Sequence, residues 1–162
     1  SKIPPHKQNQ NITAENKRAA MIQLAIQNKP PFIYSDLELK REGFTYTADT
    51  LRILQEQNAE HVYYFILGGD SLAQLERWYH PEEIMRRVVI LAISRYGMGQ
   101  EKIRHQIDYL TRNYQARIQV VDMPRMDISS SEIRDRVRQG KPLEGWVSPA
   151  VETYIQDHCL YQ

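Results

Sequence analysis

The run Ile128-Ser129-Ser130-Ser131-Glu132-Ile133-Arg134 gathers hydroxyls, backbone N–H groups and a guanidinium at one predicted helix start, directly after Asp127. That combination can hold phosphate. A first helical turn leaves N–H groups unpaired and the helix dipole adds partial positive charge there, so an anion is stabilised. Arg134, one turn in, can add a two-pronged contact. The same residues admit a plainer reading, in which a serine caps the helix and Arg134 is solvated on its outer face. Gly68-Gly69-Asp70 is a second polar signal, following a predicted buried strand. Its glycines would let backbone approach a ligand closely, or the segment is a strand-to-helix turn with Asp70 as a cap. Trp78-Tyr79 can plug a core or present a flat face to another ring. His6 and Lys7 follow the stiff Pro4-Pro5 segment, and as isolated residues they read as a solvated surface pair.

The elements that position these groups follow from spacing and stop signals. Thr13 is expected to cap a helix from Ala14 to about Asn28, with Arg18, Met21, Ile22 and Ala25 on one face and Pro30-Pro31 ending it. Phe32 to Leu39 reads as a strand, Lys40 to Gly43 as a turn, and Thr47 as the cap of a helix from Ala48 to Gln57. His61 to Leu67 is the next strand, and a short helix begins at Ser71. Pro81 with Glu82-Glu83 opens another short helix, leading into the strand Val88 to Ser94. A polar helix spans about Gln100 to Tyr114, then come a strand from Arg117 to Val121 and a helix from Ser131 to Gln139, stopped by Gly140 and Pro142. A last helix starts at Ser148-Pro149 and runs to about His158. Alternation of strands and helices predicts an α/β fold, a parallel sheet covered on both faces, with ligands at the carboxyl ends of the strands. The loops after Leu67, Ser94 and Val121 are therefore the candidate site, and Arg95 joins it as a phosphate candidate. Lys102, Arg104 and Arg112 need no role beyond a solvated helix face.

Composition fits one soluble domain: 162 residues, a formal charge of +1 and 41% hydrophobic content. The charge gives no sign of a nucleic-acid or membrane surface. The longest aliphatic run, Val88 to Ile93, is too short to span a bilayer, and no secretory signal stands at the start. A single cysteine, Cys159, excludes an internal disulfide and makes a cytoplasmic setting the default. The scattered histidines show no zinc-site spacing, so a metal would have to arrive with the substrate.

Pro4-Pro5-His6-Lys7, Tyr46-Thr47-Ala48-Asp49-Thr50-Leu51, Phe65-Ile66-Leu67-Gly68-Gly69-Asp70-Ser71-Leu72, Trp78-Tyr79, Ile128 to Arg134 and the closing Leu160-Tyr161 form an ordered set. In order and spacing the set resembles bacterial nicotinate-nucleotide adenylyltransferases, of the nucleotidyltransferase superfamily, over nearly the whole chain. The resemblance implies a Rossmann-like parallel sheet with helices on both faces, and transfer of AMP from ATP to nicotinate mononucleotide with Mg2+ bound to the nucleotide. It implies that His6, Lys7, Gly68, Asp70, Arg95, Ile128, Ser129, Ser130, Ser131 and Arg134 meet ATP, Asp70 at the adenosine ribose and Arg134 stabilising the leaving phosphates. It further implies that Trp78 and Tyr79 lie at the nicotinate ring, with Thr50 near the nicotinate carboxylate.

The family opens with a strand, a glycine-rich segment and a His-x-x-His or His-x-Gly-His signature, none of which stands in this sequence. Residues 1–162 are thus expected to be one N-terminally incomplete domain, inactive alone. The family sheet resembles a 3-2-1-4-5 arrangement, which puts two absent strands between Phe32 to Leu39 and His61 to Leu67. Unpaired edges and exposed apolar surface would follow, so the fragment alone is expected not to fold stably; a cooperative thermal transition would refute that. Rival readings are an adenylyltransferase for nicotinamide mononucleotide or phosphopantetheine, and a non-catalytic nucleotide-binding or partner-binding remnant. Assembly into a homo-oligomer stays open.

Overall fold

The computed structural model describes residues 12–95, 100–124 and 128–162. Among them, the elements in chain order are α1 (Glu15–Ile26), α2 (Thr47–Gln57), β1 (Tyr63–Gly68), α3 (Gly69–Ala73), a 3-10 turn (Leu75–Arg77), α4 (Pro81–Arg87), β2 (Val88–Arg95), α5 (Gln100–Tyr114), β3 (Arg117–Met123), α6 (Ser130–Arg138) and α7 (Pro149–Asp157). They divide into two compact units, one bounded by Thr45–Arg125 and one drawn from residues 1–44 and 126–162.

The Thr45–Arg125 unit is a three-stranded sheet in the order β1-β2-β3, with both pairings parallel. The predicted alternation is met here, because each pair of parallel strands needs a crossover and helices supply it. One face is the core. Phe65, Leu67, Ile90 and Ile118 meet Leu51 of α2, Leu72 of α3, Leu75 of the turn, Ile84 and Met85 of α4 and Leu110 of α5. On the other face Tyr64 and Ile66 of β1 are 57% and 65% exposed. Gly69 packs closely: a Cβ there would stand 3.1 Å from Cδ1 of Ile103, so a larger residue would make that side chain of α5 shift.

The predicted strand from Phe32 to Leu39 is not formed. Phe32 N–H donates to the Lys29 carbonyl, and the N–H groups of Leu39 and Lys40 donate to the Asp36 carbonyl, closing local turns. Lys40 adds an ion pair with Asp36 at 3.0 Å, while Ile33 is 90% exposed. Strand-forming side chains make a strand only against a neighbour, and local turn bonds win where none is available. Two predicted caps also move. Ala14 and Tyr46, not Thr13 and Thr47, occupy the N-cap positions of α1 and α2, and neither makes a side-chain cap bond.

In the other unit α1 and α7 pack together around Leu143, Val151, Ile155 and Leu160, with Met21, Leu24, Ile133 and Trp146 against them. The predicted face of α1 is recovered: Arg18, Met21, Ile22 and Ala25 line one wall of an open groove of about 490 Å³. Helix α6 ends as its sequence predicts. Gly140 adopts φ +64°, Gly140 N–H donates to the Val137 carbonyl and Lys141 N–H to the Arg136 carbonyl, so the last turn is satisfied.

Candidate active site

The serine run starts α6. Ser129 is the N-cap, in extended backbone, and its Oγ accepts from Glu132 N–H at 3.1 Å. The capping reading therefore holds for this one hydroxyl. It leaves the rest of the run on the surface: Ile128, Ser129, Ser130 and Ser131 are exposed and Arg134 is half-buried. Arg134 Nη2 donates to Ser131 Oγ at 3.2 Å, so the guanidinium is already turned back toward the helix start. Ile133 and Val137 pack into the unit's core and anchor α6, with Arg134 at the edge of that apolar stripe. At the other end Arg136 donates to the Pro142 carbonyl through Nε at 3.1 Å and Nη2 at 2.9 Å, and its guanidinium lies 4.6 Å from the Trp146 ring centre.

Gly68 ends β1 and is the N-cap of α3, and Asp70 lies exposed in the first turn. A Cβ at Gly68 would meet nothing within 4 Å, so its surroundings are open. Arg95 ends β2, its backbone in register with Met123 of β3. The run from Ile128 follows β3 in the chain. Within the sheet unit, the polar signals after β1 and β2, Gly68 to Asp70 and Arg95, thus come at carboxyl ends of adjacent parallel strands. His6 and Lys7 lie outside the described residues.

Trp78 and Tyr79 separate. Trp78 is turned inward, edge-on to Phe65 with ring centres 6.2 Å apart, and packs on the core. Tyr79 is 47% exposed and stacks on Tyr46, with centres 4.2 Å apart and planes inclined by 28°. Thr50, in the first turns of α2, donates its hydroxyl to the Tyr46 carbonyl at 3.2 Å. Tyr46 therefore joins Thr50 to Tyr79, a link that sequence alone did not single out. The preceding residue, Thr45, is buried at 6% exposure, and its hydroxyl has no partner among the described residues.

The frame beneath this cluster is polar and specific. Arg87 Nη1 donates to Gln55 Oε1 at 2.6 Å and Gln55 Nε2 donates to the Arg87 carbonyl at 3.2 Å, joining α2 to α4. Glu83 accepts from Arg86 at 2.6 Å and from Arg87 Nε at 2.9 Å. Those two guanidinium bonds hold the Glu83 carboxyl below the usual carboxylate range. No group of three or more His, Cys, Asp or Glu that could hold a metal occurs among the described residues. No helix among them is long and apolar enough to cross a membrane.

Residues 1–136 match the cytidylyltransferase-like family. A protein of Lachnoclostridium phytofermentans named "Probable nicotinate-nucleotide adenylyltransferase" is 39% identical over 161 residues, covering 99% of this chain and 80% of its own length. One of the same name from Carboxydothermus hydrogenoformans is 38% identical over 162 residues, covering 100% of this chain and 80% of the relative. Among solved structures, the Plasmodium falciparum nicotinic acid mononucleotide adenylyltransferase complexed with NaAD shares the fold. Its TM-score is 0.73 at 22% identity, and the match covers 95% of this chain and 77% of that one. The same enzyme complexed with APC gives a TM-score of 0.73 at 23% identity, over 93% and 77% of the two chains. The chain belongs to the cytidylyltransferase-like family and, within it, to the nicotinate-nucleotide adenylyltransferases.

Proposed function

We infer that the full-length protein transfers an adenylyl group from ATP, carried with Mg2+, to nicotinate mononucleotide, yielding deamido-NAD and pyrophosphate. The observation that carries this reading is the likeness to nicotinate-nucleotide adenylyltransferases over 99% of the chain. The position of Gly68 to Asp70 and Arg95 at the carboxyl ends of neighbouring parallel strands supports it, since open parallel sheets bind ligands there.

The reaction is an in-line displacement. A phosphate oxygen of the mononucleotide forms a bond to the α-phosphorus of ATP while the bond to the β-phosphate oxygen breaks. No protein nucleophile is needed, so catalysis rests on positioning and on stabilising the charge that gathers on the leaving pyrophosphate. On this reading Ile128 to Ser131 offer N–H groups and hydroxyls to the β- and γ-phosphates, Arg134 adds its guanidinium, and His6, Lys7 and Arg95 supply further positive charge. Asp70 accepts from a ribose hydroxyl, and the open space at Gly68 admits the nucleoside. Thr50, Trp78 and Tyr79 form the nicotinate side. The start of α2 lacks a side-chain cap, and a helix start with partial positive charge favours the carboxylate of nicotinate over the neutral amide of nicotinamide.

Pyrophosphate release by the full-length protein, measured side by side with nicotinate mononucleotide, nicotinamide mononucleotide and phosphopantetheine, tests this. The expected order puts nicotinate mononucleotide ahead of its amide by roughly tenfold or more, the upper range of a helix-terminus effect. Release with phosphopantetheine alone, or with no acceptor, would overturn the reading.

A further inference from the structure

Helices α2 and α4 lie side by side and point the same way. Their carboxyl-terminal ends are joined by the paired bonds between Gln55 and Arg87. Their starts are joined differently. Tyr46 is the N-cap residue of α2, Tyr79 immediately precedes His80, the N-cap residue of α4, and the two tyrosine rings stack at 4.2 Å. Tyr79 is close to half exposed, so burial does little to hold it. Its ring is held between Tyr46 and the edge of His80, whose centre is 4.1 Å away at 73°. His80 itself sits at φ 49° and ψ 60°, a left-handed backbone uncommon outside glycine. The same Tyr46 holds Thr50 through its carbonyl, which accepts both Thr50 N–H at 3.1 Å and Thr50 Oγ1 at 3.2 Å.

We propose that Tyr46 is a positioning residue for the acceptor: ring and carbonyl together set the separation between Thr50 and Tyr79, and so the slot for the pyridine carboxylate. The proposal rests on the function inferred above. Because Tyr46 acts through its neighbours, its loss falls on acceptor binding and acceptor choice. A rigid aromatic pair orders an exposed ring before the ligand arrives, and without it the ligand must bear that ordering cost.

The test compares the full-length wild type, Tyr46→Ala and Tyr46→Phe in three readouts. These are KM for nicotinate mononucleotide, KM for ATP with kcat, and the preference over nicotinamide mononucleotide. The expected result for Tyr46→Ala is a rise of about three- to tenfold in acceptor KM, the scale of one aromatic pair. Preference for the carboxylate falls in parallel, while ATP KM and kcat stay within about twofold. Tyr46→Phe, which keeps the stacked ring, recovers the wild-type acceptor KM. The proposal is overturned if Tyr46→Ala leaves acceptor KM unchanged, if acceptor KM, ATP KM and kcat all worsen together, or if Phe does not rescue. Calorimetric titration of the wild type with nicotinate mononucleotide separates the two inferences. Absence of binding there removes the functional reading, whereas normal binding with an unaffected Tyr46→Ala removes only the role of Tyr46.

Discussion

The two candidate ligand regions, one in each compact unit, are built on opposite principles. The nicotinate side is made by packing: Trp78 lies against Phe65 and the sheet core, Tyr79 against Tyr46, and α4 against α2 through Gln55 and Arg87. The proposed phosphate side is made on the surface, from exposed serines and a half-buried arginine at the start of a helix anchored through Ile133 and Val137. On the proposed reading the difference matches the ligands. A flat ring is recognised by shape, so its walls must be rigid before it arrives. A polyphosphate is recognised by charge and N–H groups, which a helix start supplies while still facing water.

That contrast predicts that stability and activity separate differently on the two sides. Trp78→Ala is expected to cost about 3 to 5 kcal/mol of stability, the scale of deleting a packed aromatic, and to lose activity with it, as seen in a thermal melt and a turnover assay. Arg134→Ala is expected to leave the melting curve within about 0.5 kcal/mol of wild type. Its turnover should nevertheless fall roughly ten- to a hundredfold, since a hydrogen bond to a charged group contributes about 1.5 to 3 kcal/mol. An equal loss of stability in both variants would break the comparison.

Ser129 sharpens it further, because its hydroxyl is already engaged as a cap. Ser129→Ala should lower stability by about 1 kcal/mol. Ser129→Asp should keep the cap and the melting temperature, yet raise KM for ATP, because a carboxylate now stands where phosphate would bind. If Asp leaves the ATP KM unchanged, the serine is a cap and nothing more.

On the packed side, acidity should act through Glu83. The folded Glu83 carboxyl lies below its unfolded value, so its contribution is fully present above the unfolded carboxylate pKa, about 4.3. It is lost as pH falls through the lower folded value. Glu83→Gln should flatten that part of a plot of melting temperature against pH. A wild-type curve of the same slope would show that the Arg86 and Arg87 pairings contribute nothing. The smallest effect is expected at Thr45→Val. Removing a buried hydroxyl with no partner among the described residues should leave stability level or raise it by up to about 1 kcal/mol, checked by denaturant unfolding. A loss of acceptor affinity in that variant would place the hydroxyl at the ligand.

Much of this was legible in the residues. Branched and aromatic runs marked all three strands of the sheet, Pro81 and Pro149 marked helix starts, and Gly140 marked a helix stop, because each depends on backbone preferences or patterning within a few residues. The serine run was legible for the same reason: a cap and a helix start are local chemistry. Tertiary structure alone decided the rest. Phe32 to Leu39 has strand composition but forms turns, since a strand exists only through a neighbour. Trp78 and Tyr79, adjacent in sequence, went to different surroundings, one ring to the core and one to Tyr46, because direction is set by what packs around a side chain. The stack of Tyr46 on Tyr79 joins residues distant in the chain, and no local preference encodes it. Sequence by itself determined which groups are present and which helix or strand carries each; the folded chain decided which of them meet.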